Sequence, residues 1–431
     1  MKLNFNVIKW FEVSYFCMMK KMLIIGLVWP EPTSSAAGTR MLQLIDLFLE
    51  AGYQLTFACA AAKSEFSYPL NEKGIQEIEI KLNDESFNSF IRELNPDVVM
   101  FDRYMVEEQY SWRVSMECPN ALKILDTEDL HFLRYARQEA VKKGIEFNPE
   151  SLYSDYAKRE IASILRSDLT LLISKKEKDL LINQFHINPS LLYYLPFLES
   201  EITTEQIDSW TSFEDRAHFM FIGNFIHEPN WNCVQVLKNK IWPILRQKLP
   251  QAEMHIYGAY PSQKVLQLHN SKERFLIKGR ADEAKTTMSN YRALLAPIQF
   301  GAGVKGKFVD AMQSGTPNVT TLIGAEAMQH GLSWNGFVTN NWEEFIDYAV
   351  TLYQNKEVWE YAQHNGVNLL NENYGKSKFS SAFIEYFNAI KKYLDLHRQQ
   401  NFYGQILQHH TNQSTKYMSL WIEQKNKNLP K

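Results

Sequence analysis

The strongest constraint on this chain is a rhythm that occurs twice. Short, nearly all-apolar runs alternate with segments of helical period, first over residues 22–200 and again over 216–375. Runs without polar alternation suit strands buried on both faces, as in parallel sheets covered by helices. In the first half such strands are expected at 22–28, 55–59, 97–102, 121–126 and 169–173. Met41, Leu42, Ile45, Phe48 and Leu49 are spaced for a helix over 40–51, with Gly52 as its stop. In the second half the strands fall at 218–222, 253–257, 275–277, 293–297 and 317–320. Helices are expected over 230–248, 305–314, 342–354 and 376–396. Between the halves, 195–215 is polar and reads as a linker. Strand–helix alternation makes the fold class α/β, and two such lobes facing each other leave a cleft at their strand ends.

The composition fits that reading. The chain has 431 residues, more than one domain of roughly 150 residues would need. It is 45 % hydrophobic and 22 % charged, which is ordinary globular usage. Its 46 basic and 49 acidic residues sum to −3, so no polycation argues for a nucleic-acid partner. Cys17, Cys59, Cys118 and Cys233 form no C-x-x-C pair, which argues against a disulfide framework and for the cytoplasm. No apolar run reaches the ~20 residues that span a bilayer. Residues 1–21 mix aromatic residues with Lys2, Lys9 and Glu12 and lack the clean apolar stretch of a signal peptide. They read as an appendage, with Met19 or Met22 as alternative starts. The polar, slightly basic 397–431 reads as a frayed helical tail. Contact with the inner face of an anionic membrane is the second reading of both ends.

The most informative stretch is Gly301-Ala-Gly-Val-Lys-Gly-Lys-Phe-Val-Asp-Ala-Met-Gln-Ser-Gly-Thr-Pro317. Gly301 and Gly303 let the backbone approach a ligand closely. The helix opening near Lys305 offers free N–H groups and a positive dipole end to phosphate. Lys305 and Lys307 add mobile charge. Asp310 lies one turn beyond Lys307 and suits a pair of ribose hydroxyls. The bland alternative is a glycine turn into a solvated helix, with Lys307 and Asp310 a surface pair. The stretch matches neither G-x-x-x-x-G-K-[ST] nor G-x-G-x-x-G.

This segment resembles the donor-binding signature of retaining GT-B glycosyltransferases, the glycosyltransferase family 4-like group (glycosyl transferases group 1). That group commonly shows Gly-Gly-Gly-Thr-Arg-x-Lys-x-x-Glu-Ala-Met-Ala-x-Gly-x-Pro. Thr320-Thr-Leu-Ile-Gly-Ala-Glu-Ala-Met328 is similar to its next segment. Phe219-Met-Phe-Ile-Gly-Asn-Phe-Ile-His-Glu-Pro-Asn-Trp231 is similar to its strand, glycine and Pro-Asn opening. Trp242-Pro-Ile-Leu-Arg-Gln-Lys-Leu-Pro-Gln-Ala-Glu-Met-His-Ile-Tyr-Gly258 is similar to its helix–strand–glycine step. In the first half, Asp126-Thr-Glu-Asp-Leu-His-Phe-Leu-Arg134 looks like the segment carrying a cleft histidine, and Gly38-Thr-Arg40 sits where the family places an acceptor-side loop. Many relatives carry two glutamates with seven residues between them; here those positions hold Ala302 and Asp310.

The resemblance implies two Rossmann-like domains, 22–200 on the acceptor side and 216–375 holding the nucleotide sugar, with 376–396 crossing back to the first. It implies transfer of a sugar from a UDP- or GDP-sugar to a glycan or lipid-linked acceptor with retention, without a cofactor or a metal. Lys305, Lys307, Gly301, Gly303, Gly223 and Asn224 would meet the diphosphate, Asp310 the ribose, His131 the reacting region, and Gly38 and Arg40 the acceptor. Asn230 reads as an N-cap. Arg134 and Arg137 read either as guides for an anionic acceptor or as a solvated face. The role of Glu326 is open. The rivals are a GT-B sugar-nucleotide epimerase and a non-catalytic nucleotide-sugar-binding scaffold, the latter motivated by Ala302 and Asp310.

Overall fold

The computed structural model describes residues 20–427, with the side chains of 410–413 left aside; most of the expected appendage and the last four residues of the tail lie outside it. The two rhythms become two parallel sheets. The first has seven strands: β1 (Lys20–Gly26), β2 (Tyr53–Cys59), β3 (Gln76–Glu79), β4 (Val98–Asp102), β5 (Leu122–Asp126), β6 (Leu169–Leu172) and β7 (Leu192–Tyr194), in the order 3-2-1-4-5-6-7. The second has six: β8 (Ala217–Ile222), β9 (Met254–Tyr257), β10 (Phe275–Gly279), β11 (Tyr291–Ala296), β12 (Asn318–Thr320) and β13 (Gly336–Val338), in the order 10-9-8-11-12-13.

The apolar runs explain this. Met22 to Ile25 and Phe219 to Phe221 are sealed from solvent, so each sheet has helices on both faces. In each sheet the strand order reverses beside the first strand of the lobe, between β1 and β4 and between β8 and β11. Ligands bind at such switch points, outside the carboxyl ends of the strands.

Seven helices of the site and its surroundings are α1 (Ala36–Glu50), α2 (Tyr104–Glu117), α3 (His131–Lys143), α4 (Asp155–Arg166), α5 (Lys175–Phe185), α6 (Glu228–Val236) and α7 (Gly306–Gln313). Two more close the chain, α8 (Lys376–Lys392) and α9 (Phe402–Lys427). Phe383 and Phe387 of α8 meet the ring of Phe48 edge-on, so this helix seals the core of the first lobe. The expected helix over 230–248 is continuous but bulged: α6 passes at Val236 into a π-turn, Leu237–Ile241, and on into Trp242–Lys248. Pro243 has no N–H to continue the ladder. The expected frayed tail is a packed helix, corrected by Arg113 of α2, which holds Ser419 and Glu423 of α9 in a buried cluster.

Candidate active site

Register brings the first carboxylates together. Asp102 and Asp126 are paired neighbours at the ends of β4 and β5. Each takes an arginine: Arg103 approaches Asp102 at 3.5 Å, and Arg40 bonds Asp126 at 2.9 and 3.1 Å. Arg40 is only 1 % exposed, and its remaining donors reach the carbonyls of Leu195 and Pro196. The acceptor-side role expected for Arg40 is therefore corrected: every donor group it uses braces the floor of the lobe. Gly38 does face open space. A Cβ there would lie 2.4 Å from the backbone of Glu31, so only glycine lets α1 start this close to its loop.

That open space is a pocket of about 280 Å³ between the lobes. The first lobe contributes Trp29, Glu31, Asp102 and Arg103; the second contributes Asn224 and Tyr260. Tyr260 donates to Glu31 at 2.8 Å across the gap.

Next to it stands the tip of α3. Leu130 offers no side-chain cap, so carboxylates from neighbouring helices accept its N–H groups. Glu160 of α4 takes those of His131 and Phe132, and Glu177 of α5 takes that of Leu130. His131 lies at the tip, its Nε2 3.4 Å from Asp129 and its ring edge-on to Tyr104. Burial, aided by Arg134 and Arg103, lowers its pKa to about 4, so the imidazole is neutral at physiological pH. Against burial, Arg134, His131 and His227 hold the Asp129 carboxyl down at about 2. Glu128 sits at φ 61° with Oε1 buried and without a partner among the described residues. Burial and the neighbouring Asp126 raise its pKa to about 8, so it carries a proton at neutral pH.

The second lobe presents the glycine turn and α7. Gly303 has φ 60°, and a Cβ on it would lie 2.8 Å from the Cβ of Asp129, so the lobes meet here at backbone distance. Its N–H donates to Glu177 at 2.7 Å. Arg137 of α3 donates to the Gly301 carbonyl at 2.8 Å and grips Glu326 at 2.6 and 3.0 Å, with Lys176 on the same carboxylate. Neither reading of Arg137 from sequence holds. It clamps the glycine turn to the first lobe, and Glu326 is its partner. Arg134 is likewise committed, to Asp129.

Lys305 caps α7 and donates to the Gly303 carbonyl at 3.1 Å. Lys307 donates to Asn230 Oδ1 at 2.6 Å and lies 4.4 Å from the centre of the Phe221 ring. Burial pulls both amines from their usual 10.5 to about 8. Asp310 is raised to about 7 by burial and by Glu199 and Glu283, against Lys285. Asn230 is not an N-cap. It is the third residue of α6, packs on Gly223, and donates to the Asn224 carbonyl at 2.9 Å, tying that turn to Lys307. Asn224 turns its own side chain back onto the Ile226 N–H.

The site residues thus gather where both switch points open: Gly223, Asn224, Gly301, Gly303, Lys305 and Lys307 from one lobe, His131 and Gly38 from the other. Sequence reasoning missed Glu128, Glu177 and His227. His227 faces Asp129 and Arg134 between the lobes, and its place in Phe-Ile-His-Glu-Pro was the available signal.

Residues 216–355 match the family model described as Glycosyl transferases group 1. This segment is a glycosyl transferases group 1 domain. Over 300 residues the chain is 23 % identical to an "Uncharacterized 44.6 kDa protein in cps region" of Klebsiella pneumoniae, covering 66 % of this chain and 74 % of that one. Among solved structures it resembles a point mutant of S. aureus TarM in complex with Fondaparinux, alpha-GlcNAc-glycerol and UDP. There the identity is 15 % and the TM-score 0.55; the match covers 70 % of this chain but only 58 % of that one. It also resembles Anabaena HepE in complex with UDP-glucose, at 13 % identity and TM-score 0.62, over 86 % of this chain and 99 % of that one. At these identities the likeness is one of fold, and the fold is GT-B: a glycosyl transferases group 1 domain facing a second Rossmann-like lobe.

Proposed function

We propose that the chain is a metal-independent, retaining glycosyltransferase that moves a sugar from a nucleoside-diphosphate donor to a glycan or lipid-linked acceptor. One observation carries the reading. The tip of α7 faces the first lobe: Lys305 stands among Asp129, Arg137 and Glu177, and Lys307, held by Asn230, lies beside His227, which itself faces Asp129. The leaving diphosphate gains negative charge in the transition state, and two poorly solvated ammonium groups beside a helix N-terminus stabilise it. The Gly301–Gly303 backbone approaches the donor sugar, Asp310 takes ribose hydroxyls, and neutral His131 bonds the reacting region. The acceptor hydroxyl enters from the pocket at Trp29, Asp102 and Arg103. In the front-face course that the resemblance implies, the C1–O bond to the phosphate breaks, the new glycosidic bond forms on the same face, and the donor phosphate takes the acceptor proton. The cps-region relative favours a surface polysaccharide as the product, and the UDP-glucose complex of HepE makes UDP the first nucleotide to try.

The test is a thermal-shift panel of nucleoside diphosphates. A ligand that binds only the folded chain raises the melting temperature by mass action. UDP or GDP should stabilise the protein in chelator; if neither does, the donor site is wrong. Turnover should release the nucleoside diphosphate, and the product should keep the donor's anomeric configuration. A binding scaffold would give the shift without turnover.

The lysines also set a pH dependence. Their folded pKa values near 8 lie below the usual 10.5, so the charged forms are complete only below about pH 8. Nucleotide affinity should fall as pH rises through 8. The stability of the unliganded protein should change the other way: the cost of burying these charges is relieved between about pH 8 and 10.5, because the unfolded chain there binds more protons. Titration calorimetry from pH 7 to 9.5 should show UDP or GDP weakening by about tenfold or more. A flat profile would take both amines off the diphosphate.

A further inference from the structure

The closing helix α9 has two different faces. The inner one packs on α2 and α4. Gly404 lets it lie against the carbonyl of Leu165, Gln408 donates to the Arg166 carbonyl at 2.8 Å, and Arg113 holds Ser419 and Glu423. The outer one carries Phe402, Tyr403, Ile406, Tyr417, Leu420 and Trp421, all exposed: Tyr403 by 76 %, Tyr417 by 63 % and Trp421 by 60 %. With 3.6 residues per turn these six positions fall within an arc of about 100°. They form one apolar stripe, and no part of the described chain covers it.

The charges around the stripe say what does. Lys416 flanks it on one side and Lys425 on the other, with the Lys425 ammonium 5.3 Å from the centre of the Trp421 ring; Lys427, on the Lys416 side, is paired with Glu85 at 2.9 Å. The only acid of the helix, Glu423, is turned inward onto Arg113. We infer that the outer face of α9 is a docking surface for an anionic lipid bilayer. Tyr417, Trp421, Tyr403 and Phe402 would enter the headgroup boundary, and the flanking lysines would meet acidic headgroups. Tyrosine and tryptophan suit that depth, with an apolar body and a polar edge. An amphipathic helix of this kind lies in the interface plane. No helix among the described residues is long and apolar enough to cross a membrane. A second copy laid on the same stripe about a twofold axis would bring like-charged lysine borders together. Because α9 rides on the first lobe, docking holds the acceptor side of the cleft near the lipid surface. The inference is independent of the proposed reaction.

The experiment is co-sedimentation of the full chain with vesicles of phosphatidylcholine containing phosphatidylglycerol, against phosphatidylcholine alone, with sedimentation velocity in the absence of lipid. Binding should require the anionic lipid and weaken with salt. Tyr417→Ser with Trp421→Ser should lower vesicle partition about tenfold, and Lys416→Glu with Lys425→Glu by a similar factor. Both variants should keep the parent melting temperature and nucleotide binding, since neither touches the cleft. The inference is overturned if the parent ignores anionic vesicles, if both variants bind them as the parent does, or if the lipid-free chain is a dimer that Tyr417→Ser with Trp421→Ser dissociates.

Discussion

Replacing Lys305 or Lys307 by alanine should lower kcat by about 10² to 10³ each, the effect of removing one preorganised charge-stabilising donor from a transition state. The argument rests on where the amines already stand. Lys305 is fixed by the Gly303 carbonyl at 3.1 Å and Lys307 by Asn230 at 2.6 Å, so neither must be ordered when the donor arrives. Burial has lowered both pKa values to about 8, which means that water solvates them poorly. A diphosphate then meets them in a medium where Coulomb attraction is strong. The same burial makes the alanine variants informative. An ammonium whose charge is disfavoured by folding contributes no favourable charge term to the unliganded protein. Lys307→Ala should therefore lose the UDP or GDP thermal shift and the turnover while melting close to the parent. Turnover within tenfold of the parent in both variants would remove these groups from the reaction. A variant that fails only by unfolding would show it in the unliganded melt.

How much of this was legible in the sequence depends on how far apart the partners lie. Strands buried on both faces announce themselves as apolar runs, and β1, β4, β5, β8 and β11 lie within two residues of their expected places. Three short edge strands did not. β3 reads Gln-Glu-Ile-Glu, β7 reads Leu-Tyr-Tyr and β13 reads Gly-Phe-Val, and a strand with one neighbour on a sheet rim needs little apolar character. The helix Lys356–Asn373 was also missed; Gly366 and several polar residues interrupt its pattern, and it is fixed by tertiary packing on α7. In the site, local chemistry was visible and long-range pairing was not. Gly301, Gly303, Lys305 and Lys307 form one contiguous signature. Nothing near Arg40 shows that Asp126 will claim it, and nothing near Arg137 points to Glu326. Glu177 looks like an ordinary first-turn acid of α5, yet it accepts from Gly303 in the other lobe. Periodicity reports which side of an element is buried and leaves open which partner buries it.

Gly303→Ala should cost about 1–2 kcal/mol of stability and about 10² in kcat. The backbone term comes from φ 60°, a left-handed conformation that costs an L-residue roughly 1–2 kcal/mol. The activity term has a different origin. The added carbon would lie 2.8 Å from Asp129 Cβ and 3.3 Å from the Glu128 carbonyl, both backbone-anchored groups of the first lobe. Such atoms do not swing aside, so the lobes must part. Parting them stretches the bond from the Gly303 N–H to Glu177 and moves α7 away from His131, and a misplacement of about 1 Å at a reacting centre costs about 10² in rate. Gly52→Ala separates the two terms. Gly52 also has positive φ, 81°, but a Cβ there meets nothing within 4 Å, so it carries the backbone strain with no clash. Both variants should melt lower than the parent, and only Gly303→Ala should lose turnover. Equal loss of turnover in the two would reduce the effect to general destabilisation. Full turnover in Gly303→Ala would mean that catalysis does not need the lobes to meet at this glycine.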